Sequence, residues 1–435
     1  MKRIIVLILC AAFKVCPQTP EPQVLEYGVE QRVRNENADN YTDFNETVDD
    51  QRVQVRYRTR FWVNAPLNSN IRINVGLNQE TNEIITPDRP FKFDEIIFET
   101  AYIDVKKLFV KGLSLRVGRQ DLSKGEGFLI LDGTPLDGSR SIYFNAAVLG
   151  YSWKKSKLEA IAISNPRTDR YLPRIHNLGR ALVDWNEQAI GAYYTYNNLR
   201  NSAIEGYYFY KKETGDPRAP TNLQFQGDRH ISTAGGRVVQ KLGTGLSFTG
   251  ELALQWGAQH PDISVTGQGG YAYMKKTLGK SNRAYVQGGY VGMSGDDPST
   301  ARKNEGWDPL FSRWPKYSEM YIYSQAKERG AGYWTNLRMW VAEAGYAPWK
   351  AVTGRITYSH LGASHPFPGD PRTFGQGTLR GDMPRIRVDY APNKSWRGNV
   401  VYEYLAPGNF YSLGTHSYFL RFEVIYTYLA SVKLR

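Results

Sequence analysis

Arg52 to Val63 reads RVQVRYRTRFWV. Val53, Val55, Tyr57, Thr59, Phe61 and Val63 share one parity, and Arg52, Gln54, Arg56, Arg58 and Arg60 share the other. A strand sends successive side chains to opposite faces, so this stretch has one apolar face and one cationic face. The alternation returns in IRINVGL, where Ile71, Ile73, Val75 and Leu77 oppose Arg72, Asn74 and Gly76. It returns again in LSFTGELALQW, with Leu246, Phe248, Leu252, Leu254 and Trp256 against Ser247, Thr249, Glu251 and Gln255. In the last segment Tyr418, Leu420, Phe422, Val424, Tyr426 and Tyr428 oppose Arg421, Glu423 and Thr427.

Marking every such segment gives about eighteen candidate strands long enough to cross a bilayer at a tilt. They begin near 24–34, 52–64, 70–79, 93–106, 112–122 and 141–153, and end near 383–391, 396–404 and 416–432. The connections alternate between short turns (65–69, 197–200, 242–244, 347–350, 392–395) and long polar loops (35–51, 80–92, 123–140, 165–186, 213–230, 295–331, 362–382). A soluble sandwich has no reason to keep that rhythm. Aromatic residues make up 13% of the chain, and Tyr57, Trp153, Tyr194, Trp256, Tyr290, Trp334 and Tyr404 fall at strand ends, as interfacial girdles require. The expected fold is therefore all-β: a transmembrane antiparallel β-barrel of about 18 strands over residues 24–435, with long extracellular loops and short periplasmic turns.

Residues 1–17 read as a signal peptide, with Lys2 and Arg3 before an apolar run from Ile4 to Phe13 that is too short to span a bilayer. Both cysteines, Cys10 and Cys16, lie in it, so neither disulfides nor thiolate metal sites can stabilise the barrel itself. The net charge of +13 falls to +10 without Lys2, Arg3 and Lys14. An exported basic chain points away from nucleic acid and toward lipopolysaccharide, anionic polysaccharide or small anions.

From Arg116 the chain reads RVGRQDLSKGEGFLILDGTPLDGSRS, and near its end RGDMPRIRVDYAPNKSWRGNVVYEYLAPGNFYSLGTHSYFLRFEVIYTY. These segments resemble the outer-membrane alginate exporter family through Gly118, Arg119, Gln120, Gly125, Gly127, Asp137 and Arg140, then Glu403, Tyr404, Pro407, Gly408, Phe410 and Tyr411. Asp308, Pro309 and Leu310 form a third match. The resemblance implies an eighteen-stranded barrel with an Arg-lined constriction that exports an anionic polysaccharide such as alginate. It also implies an outer-membrane setting, the barrel-assembly machinery and periplasmic export partners.

If the apolar faces meet lipid, the other faces meet the pore. Arg52, Arg56, Arg58, Arg60, Arg72, Arg116, Arg355, Arg385, Arg387, Arg397 and Arg421 then line it, against fewer acids: Glu99, Glu251, Asp389, Glu403 and Glu423. Arginine stays charged at physiological pH and grips carboxylates in a bidentate fork, so rings of it favour anions. The competing reading is that these arginines pair with lumen acids and brace the wall. Arg119 and Arg140 flank a loop containing Gly125 and Gly127, and are read either as positioning it over the mouth or as tying it to the wall. Loops 123–140 and 295–331 are long enough to fold inward. The six histidines show no ligand spacing and no HExxH or GxSxG occurs, so no metal, cofactor or catalytic residue is expected. The expected function is a passive channel for an alginate-like polysaccharide. A general anion-selective porin for small solutes is the alternative, and a soluble β-rich enzyme is a minority reading.

Overall fold

The computed structural model describes residues 23–434 apart from 43, 132–143, 198, 216–227, 261, 280, 313–315 and 322–326. The segment 1–17 read as a signal peptide, Asp137 and Arg140 lie outside the described residues. The first strands are β1 (Gln23–Asp39), β2 (Arg52–Pro66), β3 (Ile71–Thr86), β4 (Ile96–Val105), β5 (Leu113–Gln120) and β6 (Phe144–Trp153). They continue as β7 (Ser156–Asn165), β8 (Asn186–Tyr196), β9 (Ser202–Thr214), β10 (Arg229–Gly243), β11 (Leu246–Gln259), β12 (Ile263–Leu278) and β13 (Ala284–Met293). The last are β14 (Lys303–Asn304), β15 (Leu337–Trp349), β16 (Val352–Gly362), β17 (Leu379–Tyr390), β18 (Trp396–Pro407) and β19 (Ser417–Leu434).

All nineteen belong to one sheet. The two residues of β14 lie parallel beside β12, and the other eighteen strands pair antiparallel with their sequence neighbours. β19 closes on β1 without a register break, from Gln23↔Leu434 to Asp39↔Tyr418. A closed cylinder leaves no strand edge unpaired, which is what a sheet needs in hydrocarbon.

The alternation sets the two faces as the sequence predicts. On β2 Phe61 is 43% exposed while Arg58, three residues away, is 0% exposed. Outward positions elsewhere carry Ile190, Leu252, Trp340, Ile356 and Val424, all exposed, as lipid-facing side chains must be. Inward positions are filled.

Strand ends differ from the sequence reading at informative places. β1 runs to Asp39 and β3 to Thr86, into segments read as loops, because Glu36 and Glu80 find arginine partners inside the barrel. The rhythm of connections also breaks once: only residues 260–262 separate β11 from β12, on the side where the other connections are long.

Glycines on the inner face control how far aromatic rings project. A Cβ on Gly289 or Gly345 would lie 2.2 Å from the ring of Tyr273 or Tyr285 respectively, so those rings lie flat against the wall. The apolar core is inside the cylinder, not in its wall. Phe128, Leu129 and Ile130 of the connection after β5 pack with Trp307, Leu310 and Phe311 of the connection after β13.

Candidate functional site

The inner wall from β19 through β1, β2 and β3 carries an arginine–carboxylate lattice. Register sets Arg32 opposite Arg58 and Arg34 opposite Arg56, a placement that repels unless acids intervene. They do. Glu80 accepts from Arg32 (2.7 Å) and Arg56 (2.7 Å), and Glu36 sits 3.2 Å from Arg56. Glu423 accepts from Arg34 Nε at 2.6 Å, and Glu30 from Arg58 (2.7 Å) and Arg397 (2.8 Å). Arg60 extends the lattice to Glu99 on β4 at 2.6 Å. Low surrounding dielectric strengthens such pairs and makes any unpaired member costly.

Two connections enter the lumen. After β5, Gly125 and Gly127 turn the chain with φ of 56° and 76°. A Cβ on Gly127 would come 2.8 Å from Leu131, and one on Gly125 3.1 Å from Arg237 and 3.3 Å from Glu205. Both positions require glycine, because they combine a left-handed backbone with close approach, of Gly125 to the wall and of Gly127 to its own connection. Phe311 N donates to Leu129 O (3.0 Å), joining this turn to the long connection between β13 and β15.

That connection is anchored at three places. Asp308 N donates to Gln255 Oε1 (2.8 Å), and its carboxylate meets Arg229 and Tyr333. Glu403 on β18 accepts from Ser318 Oγ (2.5 Å), Glu319 N (3.0 Å) and Met320 N (3.0 Å), and is ion-paired with Arg385 at 2.9 Å. Arg380 grips Glu328 with both terminal nitrogens, at 2.7 and 2.8 Å.

The sequence-predicted residues therefore part company. Arg56, Arg58 and Arg421 point inward but are enclosed, with Arg421 on Glu319 at 2.9 Å. Arg355 and Arg387 share Asp389. Arg52 donates to Gln54 Oε1 (3.0 Å), and Arg116 donates to Asp104 (3.2 Å) while lying over the Tyr102 ring. Arg72 stands in register between Pro66 and Asp104 near the short-turn end. Arg119 pairs with Asp169 of the connection after β7, at 2.8 Å, and donates to Phe98 O and Asn145 Oδ1.

Arg32, Arg34, Glu30, Glu36 and Glu80 were not singled out from the sequence, although the alternation of YGVEQRVRNE placed the first four on one face. What the lattice and loops leave open includes a cavity of about 360 Å³ against β11–β17, bordered by Lys275, Lys316, Tyr273, Glu343 and Arg385.

A closed wall with an apolar outer face and a charged lumen defines an outer-membrane channel, a multi-pass barrel of the Gram-negative envelope. The chain belongs to the alginate export family, which matches residues 23–423. Its fold is similar to OprD of Pseudomonas aeruginosa, at 11% identity over 94% of this chain and 97% of that one, with a TM-score of 0.60. It is likewise similar to OpdK of that organism, crystallised with vanillate, at 12% identity, 93% and 99% coverage and a TM-score of 0.55. OccK3 (OpdO) gives 14%, 93%, 96% and 0.53. No curated protein matches the chain.

Proposed function

We propose that this outer-membrane channel passes anionic substrate passively, and that its cargo is an alginate-like polysaccharide moving outward. One observation carries the reading: a member of the alginate export family bears inward arginines that keep partial access to the lumen. Their side chains are exposed by 50% at Arg397, 34% at Arg355 and 18% at Arg385 and Arg387. A polyuronate carries a carboxylate on each sugar, and weak sites in series hold such a chain and release it. Long connections then face the outside, lipopolysaccharide surrounds them, and the barrel-assembly machinery and periplasmic export partners act from the short-turn side.

The second reading, a porin for small anions, is favoured by the cavity beside the inserted connection, whose volume of about 360 Å³ suits a small solute. The reversal potential of the purified protein in a planar bilayer under a KCl gradient, followed by addition of alginate, separates them. Anion selectivity with block by polymer is expected. Anion selectivity indifferent to polymer supports the porin, and cation selectivity overturns both.

A further inference from the structure

The cations of the lumen are not equivalent. In the sector from β19 to β3 each arginine of the lattice has a carboxylate within ion-pair distance, and the side chains are enclosed. Their charge is spent locally, so that sector braces the wall and offers little to a passing ion.

The opposite sector is built differently. Tyr285 lies flat because Gly345 leaves room behind it, and the Lys275 ammonium rests over that ring, 3.7 Å from its centroid. A ring face attracts the cation without neutralising it. Lys316 arrives from the inserted connection. It donates to the backbone carbonyl of Glu126 at 2.6 Å and lies 5.6 Å from the Tyr271 centroid and 5.5 Å from that of Tyr317. Neither lysine forms an ion pair with a described acid.

Both lysines border the same cavity, together with Ser247, Thr249 and Gln287. Of the acids on its border, Glu126 is ion-paired with Arg237 at 3.4 Å, and Glu343 is held against the wall by Tyr285 (2.6 Å) and Thr357 (2.9 Å) while keeping its charge, so the two lysines outnumber the uncompensated acid. Arg385, also on its border, is ion-paired with Glu403.

We propose that Lys275 and Lys316 form the anion subsite of this channel, and that it takes one carboxylate of a sugar acid whose hydroxyls meet Ser247, Thr249 and Gln287. The conduction path then runs off-centre along β11–β17, and the inserted connection supplies half of the site. This deepens the channel reading above and rests on it.

The test compares full-length wild type with Lys275→Gln, Lys316→Gln and the double variant, each first shown to be folded by its heat-dependent gel mobility. The wild type is expected to be anion-selective, which checks the channel reading separately. The double variant is expected to lose about twofold or more of its chloride-over-potassium permeability ratio, each single variant losing part. Glucuronate is expected to reduce the wild-type current at concentrations that leave the double variant unaffected, while glucose affects neither. Block by alginate but not by glucuronate assigns the site to the polymer; block by both assigns it to the single carboxylate. Because Lys275 sits on a wall strand, its variant still reports if Lys316→Gln displaces the connection. Unchanged selectivity and unchanged block in a folded double variant, with an anion-selective wild type, overturn the subsite and leave the channel reading standing.

Discussion

Arginine at an inward position has two physical outcomes, and its partners decide which. Glu80 bridges Arg32 and Arg56, with Arg58 opposite it across the β2–β3 register. Glu80→Gln leaves these guanidinium groups crowded and undercompensated in an enclosed site, where breaking a buried pair costs about 3 kcal/mol or more. The expected result is a lower denaturant midpoint for the folded barrel, with anion selectivity unchanged. Adding Arg56→Gln to the same chain should recover part of the loss, since the two residues interact directly. A midpoint equal to wild type would mean the lattice contributes nothing to the wall. The facing of Arg56 and Arg58 was legible from RVQVRYRTRFWV, because parity alone sets it. Their pairing was not: Glu36 and Glu80, the partners of Arg56, lie in segments read as loops, and distances between chain segments remote in sequence leave no local trace.

At the scale of elements, strands were legible because each carries its own alternation, whereas the inserted connections are not periodic. Their glycines, Gly125 and Gly127, stood out through the family motif, yet what Gly125 approaches, Arg237 and Glu205 of the wall, is visible only once the barrel is closed. Glu403 also stood out in that motif, and its role is to seat the segment 318–320 rather than to stand bare in the lumen. A glutamine there has one acceptor oxygen instead of two and turns an N–H₂ toward backbone N–H donors. Glu403→Gln should therefore weaken the seat by about 1–3 kcal/mol. Single-channel recordings are expected to show larger or more variable conductance, with gel mobility before and after heating the same as wild type. Recordings indistinguishable from wild type would show that this anchor does not limit the opening.

At the scale of the molecule the question is closure, since a sheet open at one edge cannot persist in lipid. The seam between β1 and β19 joins the two ends of the chain, and it also carries lattice contacts: Arg34 stands opposite Glu423, and Glu36 opposite Arg421. A slip of one residue would turn every side chain of one strand to the wrong face. The register is therefore fixed by both the outer apolar face and the inner charges. Val29 and Tyr428 are register partners on the lipid face, and beyond Cys16 the sequence contains no cysteine. Introducing Val29→Cys with Tyr428→Cys places two thiols within the Cα separation a disulfide accepts. Val33 pairs with Val424, so Val33→Cys with Tyr428→Cys offsets the thiols by about four residues along the strand, roughly 13 Å. Oxidation in membranes followed by non-reducing peptide mass mapping should find the 29–428 cross-link and not the 33–428 one. A folded barrel that forms only the offset link would move the seam, and with it every inward residue assigned to β1. A folded barrel that forms neither would mean the ends do not meet.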